Sequence, residues 1–193
     1  MKNTALITKI LAKKGAPRGN ALESLLHFLP SHNERRFVSD FANGLAVKRL
    51  DYYVTLWRKI DKLHVADRKA MKRVIGTEID LQNIVWIYRL KHFFNMFDHR
   101  VYGFLIPIRH RLSADMLASM VACKNTNQLQ ALLAATVYKE VFDSFNKPEQ
   151  QLAAAVTMRY KAEGKRSHIA LLCGYLYRQP LLGGTDDSKN EVY

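Results

Sequence analysis

Residues Gly76 to Phe94 read GTEIDLQNIVWIYRLKHFF, and this stretch limits the fold more than any other. It is apolar enough for a core, yet it carries Glu78, Asp80, Asn83, Arg89 and Lys91. Ionised groups share a buried helix with large apolar ones only when they are paired or face a partner. At about 100° per residue, Asp80, Asn83, Ile87 and Lys91 fall on one narrow stripe, and Glu78, Gln82 and Arg89 on the opposite one. Between them lie two apolar arcs, one of Ile79, Trp86, Leu90, Phe94 and Phe97, the other of Leu81, Ile84 and Tyr88. The pattern predicts a helix over about 77–97 that packs on both sides. It would be a central strut with two polar seams, burying Trp86, Leu90 and Phe94.

The rest of the chain also reads as helix. Thr4 to Lys14 is amphipathic and is stopped by Gly15, Pro17 and Gly19. Asn20 and Glu23 have capping-box spacing before a helix over 21–29. Further helices are expected over 34–47 (weakened by Gly44), 50–63 and 67–75, the last short and basic. After a connector around Pro107, Ser113 caps a helix to about Ala122. Asn125 to Asn127 then make a turn, and Gln128 to Phe145 follow as one helix or two. Pro148 suits the first turn of a helix that Gly164 breaks, and Ser167 caps a last helix ending near Arg178. No run alternates apolar and polar residues with β-branched bias, so the fold class is all-α, a multi-helix bundle. A loose likeness between the helix pairs at 21–47 and 113–138 suggests repeated helical units. One domain over 1–180 is expected, with a disordered tail over 181–193.

Composition bounds the partners. With 30 Lys and Arg against 17 Asp and Glu, the net charge is +13. That suits an anionic partner, whether nucleic acid, an acidic protein face or a membrane surface, or else a basic solvated exterior. The basic stretch Arg58, Lys59, Lys62, Arg68, Lys69, Lys72 and Arg73, interleaved with Trp57, Leu63 and Met71, carries the same alternatives. No apolar run approaches the ~20 residues of a membrane span. The apolar run at the start is too short for a signal peptide. Cys123 and Cys173 sit in apolar stretches outside any CxxC, as buried reduced thiols of a cytosolic protein would.

Catalytic motifs do not emerge. The chain lacks GxxxxGK[ST] and GxGxxG, so it has no phosphate-cradling loop with which to hydrolyse ATP. His92 and His99 could share a helix face, but with no HExxH and no carboxylate on that face except Asp98 they do not amount to a zinc site. No catalytic residue, cofactor or metal is expected.

The phrase GTEIDLQNIVWIYRLK over 76–91 resembles the signature of the C/d family, the non-catalytic C-type subunits (d-type in eukaryotes) of V-type and archaeal-type rotary ATPases. Asn3 to Gly15, Tyr52-Tyr53 with Leu56-Trp57, and LIPIRHRLSADMLASMVACKNTNQLQALLAATVY over Leu105 to Tyr138 agree with it in order. The likeness covers about 3–15 and 50–178. It implies a helical coupling protein that joins the central stalk to the membrane rotor ring, for ATP-coupled transport of protons or sodium. Such a protein would lie on the cytoplasmic face and meet the membrane only through the complex. Glu78, Asp80, Asn83, Arg89 and Lys91 would then be partner-binding or architectural. Asp80 could cap its own helix, and Arg89 could pair with an acid on a neighbouring one. The resemblance also implies a shortened member, whether a shortened paralogue, a fragment or a nonfunctional relative, because full-length relatives build a funnel from three similar helical units. Here the family-like beginning runs into the family-like last part between about Gly15 and Leu50, and Gln179-Pro180 stand where relatives have an acidic helix. The alternative reading is a basic helical nucleic-acid-binding protein, disfavoured because no recognised nucleic-acid motif accompanies the charge.

Overall fold

The computed structural model describes residues 5–9, 20–46 and 50–178. The expected tail at 181–193, and the first helix beyond residue 9, lie outside these residues. Residues 5–9 are helical. Nine further α-helices follow among the described residues: α1 (Asn20–Leu26), α2 (His32–Ala46), α3 (Leu50–Ile60), α4 (Val65–His92), α5 (Asp98–Val101), α6 (Ala114–Ala122), α7 (Thr126–Ala134), α8 (Pro148–Glu163) and α9 (His168–Arg178). A 3-10 turn, Tyr102–Phe104, follows α5, and no strand occurs among the described residues. The all-α expectation therefore holds.

Local chemistry explains several boundaries. The Ser113 hydroxyl accepts from the Met116 N–H, the Asn125 side chain from the Gln128 N–H and the Ser167 hydroxyl from the Ala170 N–H, each relieving an orphan donor at a helix start. Ser31 and Glu34 form a reciprocal capping box at α2, starting it earlier than the sequence pattern suggested. The helix expected to continue towards Phe145 stops at Ala134. There the Thr136 hydroxyl donates to the Leu133 carbonyl and accepts from the Tyr138 N–H, so side chain replaces backbone in the ladder.

Helix α4 has 28 residues, about 42 Å of rise. Eight consecutive residues, Val74 to Leu81, are buried, so the helix is enclosed on every side there. It packs against α3, α5, α6, α7, α8 and α9, while α9 also meets α2 and α8, and α2 meets α3. The strut expectation is thus met at its centre, with two corrections at its ends. First, Gly76 does not separate a short basic helix from a long one; both are α4. A side-chain carbon at Gly76 would lie 2.4 Å from the His110 ring, so the glycine admits the ring rather than ending the helix. Second, α4 ends at His92, not Phe97. Asn95 takes a left-handed φ of 43°, and the Met96 N–H closes back on the Leu90 carbonyl at 2.9 Å. Phe94 and Phe97 are consequently turned outward and are 70% and 71% exposed, while Trp86 and Leu90 are half-buried. Of that predicted arc, Ile79 is the fully buried member. Gly44, expected to weaken α2, instead lies against the Tyr52 ring, which comes within 1.6 Å of where a side-chain carbon would stand.

Candidate functional site: a buried polar strut

Both polar seams of α4 exist, and they meet different neighbours. On the first, the Asp80 carboxylate is fully buried. Its Oδ1 accepts from the His110 N–H at 3.1 Å. Its Oδ2 accepts from the Arg111 N–H at 2.7 Å, the Leu112 N–H at 3.3 Å and the Tyr138 hydroxyl at 2.7 Å. One turn on, the Asn83 amide copies a peptide group: Oδ1 accepts from the Ile106 N–H at 2.8 Å and Nδ2 donates to the Ile106 carbonyl at 3.1 Å. Two side chains of one helix therefore supply the hydrogen bonds that the irregular connector 105–112 cannot make with itself. Burying a carboxylate is costly, and four donors converging on it are what makes the burial tolerable. Asp80 lies mid-helix, so the expectation that it caps its own helix is overturned: the helix it serves begins at Val65.

The charge has consequences around it. Burial, with Asp80's negative charge second, pushes the Tyr138 phenol well above its usual range. His110 is pulled below the ordinary histidine range chiefly by burial, which outweighs the attraction of Asp80; Arg111, Arg159 and Arg73 lower it further. The His110 Nε2 is buried and has no hydrogen-bond partner among the described residues.

The opposite seam faces a cavity of about 410 Å³ between α2, α3, α4, α8 and α9. Glu78, Gln82 and Arg89 all line it, along with Trp86, Tyr53 and Tyr177. Glu78 is buried and its Oε1 accepts from the Tyr53 hydroxyl at 3.0 Å. Burial first, and Glu78's charge next, push Tyr52, Tyr53 and Tyr177 upward. At the rim Arg89 pairs with Glu149 in the first turn of α8, at 2.6 Å, with both side chains half exposed. Lys91, back on the first stripe, pairs with Asp98 across the turn that ends α4.

Sequence reasoning missed three partners. The Arg73 guanidinium grips the buried Glu163 carboxylate with two bonds of 2.7 Å, tying α4 to α8. That contact, with Lys59–Asp40 and Lys72–Asp61, means that part of the basic stretch is spent internally. Tyr53 and Tyr138 are the others. Nothing local marks them, since their acceptors are 25 and 58 residues away. The two histidines considered for zinc do other things: His92 stacks on Tyr88 and His99 on Phe97. Among the described residues no group of three or more potential ligands gathers as a metal site would require. Cys123 and Cys173 are buried and free. No described helix is long and apolar enough to cross a membrane.

Fold and site together define an all-helical protein organised around one helix whose buried polar groups fasten the segments beside it. The family described as ATP synthase (C/AC39) subunit matches residues 6–179, and the chain belongs to that family of V/A-type ATP synthase subunits. Comparison with curated proteins and with solved structures gives no match.

Proposed function

We propose that this chain is the non-catalytic coupling subunit of a V-type rotary ATPase, linking the central stalk to the membrane rotor ring on the cytoplasmic face. The observation that carries this reading is the family match over 6–179, within which the 76–91 phrase forms the buried heart of the molecule. A part that transmits torque must resist bending. A 28-residue helix clamped at Arg73, Asp80 and Asn83 supplies stiffness by hydrogen bonds whose partners Asp80, Asn83 and Glu163 are buried. In this reading Glu78, Asp80 and Asn83 are architectural, while the half-exposed Arg89 and the neighbouring Lys91 stand where a partner could reach them. The sequence offers no cradle for a nucleotide phosphate, which agrees with a non-catalytic role.

The test is recovery of partners. The tagged chain, expressed in its host, should bring down stalk and ring proteins of the rotary ATPase, and purified alone it should not hydrolyse ATP. Failure to recover any of them, together with tight duplex binding that falls steeply with salt, would favour the nucleic-acid alternative.

A further inference from the structure

Of the large apolar side chains exposed among the described residues, five lie within twelve positions: Phe93, Phe94, Phe97, Tyr102 and Phe104, each between 46% and 71% exposed. Large exposed apolar side chains gathered in one short segment differ from the singly scattered ones of an ordinary surface. It is held in place rather than loose. The left-handed Asn95 ends α4 and throws the chain outward, and α5 with its 3-10 turn presents the rest.

Beside this cluster is a hollow of about 410 Å³, separate from the one facing Glu78 and lined by Lys91, His92, Asn95, Lys124, Asn125 and Thr126 among others. His92, which lines the hollow, precedes Phe93 in the chain and packs edge-on against its ring at 4.9 Å. The local charge is positive. Asp98 is engaged by Lys91, whereas Arg100 and Lys124 are exposed and take no part in an ion pair among the described residues.

We propose that this end of the molecule docks directly on an anionic phospholipid bilayer, with Phe93, Phe94 and Phe97 entering the interface and the hollow beside Lys124 receiving a lipid headgroup phosphate. Protruding phenylalanines would need a matching socket apiece on a protein partner, whereas the acyl boundary of a bilayer accepts any protrusion. Exposed cations next to apolar wedges are the pairing that interfacial binding uses. The hollow offers a phosphate at headgroup depth the exposed Lys124 ammonium, with the polar side chains of Asn125 and Thr126 beside it. This contact is independent of the coupling role and adds a lipid anchor to whatever the complex provides.

The test is cosedimentation of the full chain with vesicles of phosphatidylcholine alone and of phosphatidylcholine containing phosphatidylglycerol. The wild type should bind the anionic vesicles and scarcely the neutral ones. Phe94→Ser with Phe97→Ser, and separately Lys124→Glu, should each weaken that binding by about tenfold or more without moving the thermal melt, since all three side chains are exposed. The proposal is overturned if the wild type ignores anionic vesicles. It is equally overturned if the double variant binds them as the wild type does, because bulk charge would then suffice. A double variant that recovers fewer protein partners, from a wild type that binds no vesicle, would mark the surface as a protein interface and overturn the lipid assignment.

Discussion

The hydroxyl of Tyr138 donates to Oδ2 of Asp80 at 2.7 Å, joining two residues 58 positions apart inside the protein. The same oxygen accepts two backbone N–H groups of the connector, so one carboxylate fixes both the 110–112 segment and the chain beyond α7. Replacing Asp80 with Ala should cost about 3–5 kcal/mol, because three backbone donors and a phenol lose their acceptor at once. Tyr138→Phe should cost less, about 1–2 kcal/mol. In a double-mutant cycle by urea denaturation the two should be strongly non-additive. Additive losses would mean that the hydroxyl and the carboxylate act separately.

Gly76→Ala gives a prediction of sign. In an exposed helix interior this change stabilises by about 1 kcal/mol. Here the new methyl meets the His110 ring, and overpacking of that kind typically costs about 1–3 kcal/mol. The variant should therefore melt lower than the wild type, and adding His110→Ala should recover part of the loss.

Acid should loosen the α4–α8 tie. The hydrogen-bonded Arg73 guanidinium holds the Glu163 carboxyl below its usual range, despite its burial. A carboxyl depressed in the folded state contributes stability above its unfolded pKa of about 4.3 and loses it as pH falls through the folded value. The lowered His110 acts in the same direction at higher pH, because the unfolded state takes up its proton first, from about 6.5 downward. Stability measured by denaturant titration should thus decline on acidification in two stages. Glu163→Gln should flatten the lower stage, and His110→Ala the upper.

The two arginines on α4 should behave differently. Arg89–Glu149 is half exposed, so Arg89→Ala should change stability by under about 1 kcal/mol, an effect that salt reduces. Arg73→Ala leaves the buried Glu163 carboxylate without its two-pronged partner, and its loss should be several-fold larger. Equal effects in urea titrations at low salt would contradict the geometry.

Core and surface along α4 should separate just as clearly. Ile84 is fully buried, and Ile84→Ala should cost about 2–5 kcal/mol. Phe94→Ala should fall within about 0.5 kcal/mol of the wild type, as surface changes do.

What the sequence by itself determined is what depends on near neighbours. Helix periodicity placed Asp80 with Asn83 and Glu78 with Gln82 and Arg89, because spacing along one helix fixes which residues share a side. Capping chemistry placed Ser113 and Ser167, and proline chemistry placed Pro148, because each acts within about one turn. What only the tertiary structure decided is what meets each seam. Asn83 finds Ile106, Asp80 finds Tyr138 and Arg73 finds Glu163 across 23, 58 and 90 residues, and no local pattern encodes such pairings. Gly76 reads as a break until the His110 ring is seen to need its space. Phe94 continues the apolar arc in sequence and leaves it in space, because the helix ends two residues before it and Asn95 turns the chain outward. Periodicity assigns a residue to a face only while the helix lasts; where it stops, and what packs on it, are settled by contacts between segments distant in the chain.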